Sequence, residues 1–347
     1  MGGRGNRSAG GLWRVWPVAL AATVALAAGC SSSGDGDTGA PPAAAPASAA
    51  VAPAPVTAPA GTVTPAGPVA ALVTAPDSGA VALLDADRTR LQLLGPGGQP
   101  ATTVTLPAPA AAVAAGAPGQ ILAAAGRQLI AVDAVTGALR VTPVDGDARA
   151  VARRPDGTVA VGLDGGRVRI LAPDGQTRAT VSGLSAVDAL AATGDAVAAL
   201  DLAQTSLTQL DLGRDKPGLA LRAGTGATNL VADHVGRLLV TDTAGGALLV
   251  YTADPLVLRQ RFPVGSSPYA LAYDQRSETV WVTLTASNEV AGFDLSTGIP
   301  EEVGRFATVR QPNSVTIDER TGDMFVGSAT GDGLQRIGAD ERKRGQR

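Results

Sequence analysis

The chain has 347 residues, 45% hydrophobic and only 3% aromatic, with 31 acidic against 28 basic side chains and a formal net charge of −3. A mildly acidic chain with scattered basic residues lacks the electrostatic footprint of a nucleic-acid binder. One histidine and one cysteine exclude internal disulfides, metal sites with two or more histidines and histidine relays, and the scarcity of aromatic rings argues against a stacking platform for sugars or bases.

Residues 1–29 read as an export signal. Arg4, Arg7 and Arg14 precede the apolar run VWPVALAATVALAAGC, Val15 to Cys30, which ends in the small residues Ala27, Ala28 and Gly29. That is a charged n-region, a short h-region and a small-residue cleavage site. The run falls short of the about 20 apolar residues a spanning helix needs. It resembles a bacterial lipobox, with Leu26 one place earlier than in the commonest pattern. The resemblance implies a diacylglycerol thioether on Cys30, cleavage after Gly29 and a chain held on the extracytoplasmic face of the cell membrane. Losing residues 1–29 removes three arginines and no acid, which takes the net charge from −3 to −6.

Residues 30–60 form an Ala/Pro-rich linker, SSSGDGDTGAPPAAAPASAAVAPAPVTAPA after Cys30. Large apolar residues are almost absent, so burial cannot offset the entropy of ordering. A disordered, polyproline-like spacer is expected.

From 61 to 338 the chain repeats. Short apolar runs of strand period two alternate with Asp, Gly, Ser, Thr and Asn turns, as in Val280, Val282 and Leu284 against Trp281, Thr283 and Thr285. The third run of each unit ends near Gly95, Asp133, Ala172, Asp211, Thr252, Asp294 and Gly338, each preceded by an apolar residue. Seven units of about forty residues predict an all-β, seven-bladed propeller of four-stranded blades, with six or eight blades the neighbouring solutions. In the fifth unit the strands are expected at 230–232, 237–241, 247–251 and 258–262. The seventh unit lacks a fourth strand of its own, and the predicted replacement is Thr62–Thr64, since an unpaired edge is unsatisfied. Residues 339–347 read as a disordered basic tail carrying Arg342, Lys343, Arg344 and Arg347.

The strings Trp281-Val282-Thr283, Asn288-Glu289-Val290, Phe293-Asp294 and Thr297-Gly298 resemble the YVTN-type repeat of YncE-like propellers. Val132-Asp133 with Thr136-Gly137 repeats the end of that motif. The resemblance implies an extracytoplasmic seven-bladed propeller and leaves the activity open, because such folds host binding, scaffolding and enzymatic functions alike.

Catalytic motifs are scarce. No G-x-S-x-G elbow, G-x-G-x-x-G or phosphate loop occurs. His234 follows Asp233 at the end of an inner strand, where a solvated or capping role is expected. Lactone-hydrolysing propellers of the regucalcin type hold a divalent metal with carboxylates and Asn on the channel, yet every glutamate here lies at or after Glu278 and none begins an inner strand. Asp274 and Asp318 read as Asx turns. The histidine-centred sites of streptogramin-lyase propellers have no counterpart in a chain with one histidine.

A binding face remains. Loops leading into the innermost strand emerge beside loops joining the second strand to the third. Asn229, Asp242, Thr243, Tyr269, Ser287, Asn288, Asn313 and Thr330 are expected there, beside Pro268 and Pro312. Tyr269 offers an apolar body with a polar tip and the asparagines offer donors and acceptors, although backbone turn formation would explain the same residues. The expectation is a monomeric, lipid-anchored propeller binding a protein or small ligand at one mouth, with no catalytic residue, cofactor, metal or nucleic acid. The alternative is a divalent-metal-dependent lactonase, hydrolase or lyase of the propeller class.

Overall fold

The computed structural model describes residue 2 and residues 45–344. Apart from Gly2, the expected signal segment, Cys30 and the linker up to residue 44 lie outside the described residues, as does the tail from 345.

Strand period two recurs along the chain, and it produces seven antiparallel sheets of four strands. Six are made of consecutive strands, covering 69–105, 110–143, 148–181, 189–222, 227–263 and 268–307. The seventh has Pro312–Ile317, Met324–Ser328 and Leu334–Ile337, completed on its outer edge by Thr62–Thr64. The fold is the expected all-β propeller with seven four-stranded blades. Every third strand ends within one residue of the position marked from sequence. In blade 5 the strands are Ala227–Ala232, Arg237–Asp242, Ala247–Ala253 and Leu256–Pro263, each longer than its sequence reading.

The core is divided among the seams between blades, because successive side chains of a strand point to opposite faces. In Thr279–Leu284, Val280, Val282 and Leu284 pack toward blade 5 with Leu239, Leu248 and Val250. Trp281 points the other way, toward blade 7, with Val315, Ile317 and Val326. Second strands are therefore buried on both faces and read as continuous apolar runs, while outer strands such as Lys216–Arg222 are largely exposed. A Cβ at Gly292 would lie 2.8 Å from the Trp281 ring, so only glycine leaves room for the indole. The seventh seam joins Phe325 and Leu334 to Val69, Val81, Leu83 and Leu94 of blade 1, which closes the ring.

The Asp-x-x-Thr-Gly ending of the repeat has a physical basis. The Asp133 carboxylate accepts from the amides of Val135 and Thr136 and from the Thr136 hydroxyl, fixing the turn between third and fourth strands. The Thr136 amide, then its hydroxyl and the Val135 amide, hold this carboxyl below its ordinary range.

Closure uses three residue pairs, Thr62 with Arg336, Val63 with Gln335 and Thr64 with Leu334. Gln335 is fully buried and satisfied: its Oε1 accepts from the Val309 amide at 3.1 Å, and its Nε2 donates to the carbonyls of Ala60 (2.8 Å) and Ala307 (3.0 Å). One side chain thus ties the N-terminal segment, blade 6 and blade 7 together.

Two expectations about the termini need correction. The linker was expected to be disordered to residue 60, yet 45–60 is placed against the propeller, with Ala52 buried and its backbone hydrogen-bonded to blades 6 and 7. Composition argued from missing side-chain burial; the propeller instead supplies partners for the backbone. The tail was expected to be disordered, yet Ala339–Arg344 is helical and Arg342 is buried. Its guanidinium donates to Asp274 Oδ2 at 3.0 Å and to the Gly322 carbonyl, and lies 4.9 Å from the centre of a Trp281 ring.

Candidate functional site

Antiparallel order brings the start of each inner strand and the turn from second to third strand to the same end of a blade. Backbone bonds tie them together: the amides of Thr243, Thr285 and Ala329 donate to the carbonyls of Gly226, Ser267 and Gln311. All eight sequence-predicted residues lie on these loops or the strand ends beside them.

Their partners divide them into two groups. Asp242 is fully buried, and its Oδ1 accepts from the amides of Thr225, Gly226 and Gly245. Its Oδ2 has no hydrogen bond and lies 3.6 Å from an Arg261 amino group. A Cβ at Gly224 or Gly245 would collide with this carboxylate, so both glycines are required for its approach. Asp242 therefore organises the loop leading into blade 5. Thr243 donates to the Pro268 carbonyl and shares a 2.5 Å contact with the Thr228 hydroxyl. Ser287 donates to Glu289, and Thr330 to Asp332. These four side chains are engaged in holding loops.

Asn288 belongs to the second group, with residues the sequence reading did not single out. The segment 50–53 runs extended across the loops leading into blades 6 and 7. The Ala50 amide donates to Ser267 Oγ at 3.0 Å, and that oxygen also accepts from the Thr285 hydroxyl. Gln311 reads a stretch of backbone from both sides: its Oε1 accepts from the Ala52 amide at 2.8 Å and its Nε2 donates to the Ala50 carbonyl at 3.0 Å. Arg310 donates to the Ala52 carbonyl through Nε and Nη2, both at 3.2 Å. Asn288 donates to the Pro53 carbonyl at 3.0 Å while its Oδ1 receives the Gln311 amide. Ala52 faces inward at 1% exposure while Val51 faces solvent at 84%, the alternation of a strand. At the inner end, a Cβ on Gly226 would sit 2.8 Å from the Ala47 methyl.

Ser267, Asn288 and Gln311 also share a left-handed backbone, with φ of 57°, 54° and 53°. Asn288 takes the turn position directly before the third strand, where blade 3 has Gly166 and blade 5 has Gly246, both left-handed. Ser267 and Gln311 have no such hairpin to close, and a left-handed non-glycine residue costs on the order of 1 kcal/mol or more. Each directly precedes a proline, Pro268 or Pro312, which further restricts its backbone.

Three predicted residues keep unused groups at the same mouth. The Asn229 side-chain amide, the Tyr269 hydroxyl and Asn313 Nδ2 have no hydrogen-bond partner among the described residues, while Asn313 Oδ1 receives Gln311 Nε2 at 2.9 Å.

The opposite end is built from turns. Asp233, Asp274 and Asp318 each accept a backbone amide two residues on, from Val235, Arg276 and Arg320, as Asx turns do. His234 Nε2 lies 3.4 Å from Glu278 Oε1 on the exposed rim, near Tyr273. Burial, with Asp233 and Glu278 adding, raises the Tyr273 phenol above its ordinary range. Arg342 fills one side of a cavity of about 150 Å³ lined also by Asp274, Trp281 and Gly322. Among the described residues, no group of three or more His, Cys, Asp and Glu side chains is placed to hold a metal ion.

Neither a protein-family model nor a curated protein sequence matches this chain. Solved structures do match in shape. Hydrazine synthase from Kuenenia stuttgartiensis superposes with a TM-score of 0.67 at 11% identity, over 80% of this chain and 97% of that one. A streptogramin B lyase structure gives a TM-score of 0.64 at 13% identity, over 80% of this chain and 96% of that one. At such identities the likeness is one of fold, and the fold it supports is the β-propeller.

Proposed function

We propose that this chain is an exported, lipid-anchored propeller that binds a partner through the mouth formed by blades 5 to 7, and that it works by binding rather than by catalysis. One observation carries the reading. The loops at that mouth hold five backbone atoms of an extended peptide through Ser267, Asn288, Arg310 and Gln311, of which Ser267, Asn288 and Gln311 have left-handed backbone. Clustered loops on a rigid ring suit recognition. The membrane part of the proposal rests on the lipobox-like run before Cys30, and the resemblance to YncE-like repeats supports an extracytoplasmic site. A divalent-metal-dependent hydrolase or lyase would need carboxylates free to hold the ion at the mouth, and Oδ1 of Asp242, the buried one there, is taken by three loop amides.

Fractionation of cells expressing the full chain tests both halves. Wild type is expected in the membrane pellet and Cys30→Ser in the soluble extracytoplasmic fraction; a Cys30→Ser protein that stays with the membrane sinks the anchor. Partners crosslinked to the anchored chain are expected to be lost on Tyr269→Ala and Asn313→Ala. An unchanged set of partners sinks the mouth as the binding face.

A further inference from the structure

We propose that the groove across the loops leading into blades 6 and 7 is a peptide-binding site for an extended, small-residue segment of another protein, and that residues 50–53 of this chain occupy it in the absence of that partner. The inference rests on the mouth being the binding face and names the class of ligand it takes.

The chemistry of the contact sets the class. Every hydrogen bond from Ser267, Asn288, Arg310 and Gln311 to the segment goes to its backbone, so the groove reads an extended main chain. Side-chain selection enters at the buried Ala52, a position that suits only a small residue. Proline is compatible, because the Pro53 nitrogen is not used while its carbonyl is. Ala/Pro-type peptide is therefore what the groove fits.

The chain's own segment leaves the mouth incompletely used. The free groups of Asn229, Tyr269 and Asn313 lie at the same end of blades 5, 6 and 7. A partner peptide that makes the five backbone contacts and also engages these groups gains bonds the internal segment cannot make. It needs that surplus, since a tethered segment competes at an effective concentration on the order of millimolar. A second copy of this chain offers the same segment already bound in cis and gains nothing by exchange. The occupant is thus a segment of a different protein.

The test uses the full chain and a fluorescent synthetic peptide of residues 45–55 as probe. Ala52→Arg places a long charged side chain at a buried position and expels the internal segment without altering the groove. The opened protein is expected to bind the probe saturably and about tenfold or more tighter than wild type, and adding Gln311→Ala is expected to remove about tenfold of that affinity. Equal binding by wild type and opened protein, or indifference to Gln311→Ala, overturns the proposal. Should Ala52→Arg fail to fold by circular dichroism, replacing residues 46–57 with a Gly/Ser stretch of equal length opens the groove and keeps the closing strand, with the same readouts. Association of the opened chain with the wild-type chain, whose segment is intact, would assign the site to a second copy and overturn the choice of partner. If the probe fails while Tyr269→Ala still loses its crosslinked partner, only this inference falls and the binding face stands.

Discussion

One position of the repeat, the buried residue near the end of each third strand, is Leu94, Val132, Leu171 and Leu210 in blades 1 to 4 but Tyr251 and Phe293 in blades 5 and 6. All face the preceding blade. Blades 1 to 3 fill their seams with Ala, Val, Leu and Ile, whereas the four largest fully buried side chains, Trp281, Tyr251, Phe293 and Phe325, all belong to blades 5 to 7. Of these four, Tyr251 reaches across its seam to a backbone group, donating to the Arg222 carbonyl at 2.6 Å. The same ring geometry is thus built with two chemistries. The half with large and polar side chains is also the half that holds both terminal segments and, at Ser267, Asn288 and Gln311, the left-handed residues that contact the segment 50–53.

The sharpest way to break that contrast is Trp281→Ala. It empties the blade 6–7 seam and removes the surfaces that Phe306 and Arg342 pack on. A loss of about 3–5 kcal/mol in denaturant unfolding is expected. A loss under about 1 kcal/mol would mean that this seam is no more dependent on large side chains than the alanine-rich ones.

Tyr251 sharpens the comparison through pH. Burial, with the Asp242 carboxylate adding, pushes its phenol up to about 12. A raised pKa means that the unfolded phenol ionises first, so this contribution is complete below about pH 10 and is lost as pH climbs toward the folded value, by up to about 3 kcal/mol. Tyr251→Phe should lack that alkaline limb while costing about 1 kcal/mol at neutral pH for the unpaired Arg222 carbonyl. Unfolding curves taken across the alkaline range decide it, and parallel profiles for the two proteins would remove Tyr251 as the titrating group.

The most local expected effect concerns the closing seam of the ring. Gln335→Leu keeps the volume, strands the Val309 amide and the Ala60 carbonyl and leaves the Ala307 carbonyl with the Ala60 amide, at a cost of about 1–3 kcal/mol. Hydrogen exchange at the Ala60 amide, which donates to Ala307 at 3.0 Å, should quicken while amides in blades 1 to 3 do not change. Uniform quickening around the ring would show that the seam has no stability of its own.

The ring was largely legible in the sequence. Period two gave the strands, the near-equal spacing gave seven blades, and the missing fourth strand of the last unit pointed to Thr62–Thr64. The peptide groove was not legible, because an Ala/Pro segment has no period and its contacts use backbone atoms that composition does not report. One trace of it was present. Ser267-Pro268 and Gln311-Pro312 stand 44 residues apart, the spacing between the last two units, so two polar-proline pairs at equivalent points mark the two anchoring loops. Asp242 and Thr243 were legible as mouth residues but not as loop holders, since that role depends on how closely Gly224, Gly245 and Pro268 approach them in space. Arg342 reads as part of a solvated charge run, and its burial depends on Trp281 and Asp274 of another blade.

Closing the last blade with the first strand has a consequence for how the molecule comes into being. Thr64 emerges 270 residues before Leu334, to whose carbonyl its hydroxyl donates. Blades 1 to 6 can assemble in the order of synthesis, each from adjacent chain, whereas the outer edge of blade 7 stays open until both ends of the domain are present. Closure is then a single late step that joins ends separated by the whole domain, and its entropic cost grows only slowly with that length. Whatever covers Thr62–Thr64 meanwhile sets the pace of maturation without touching the stability of the finished ring.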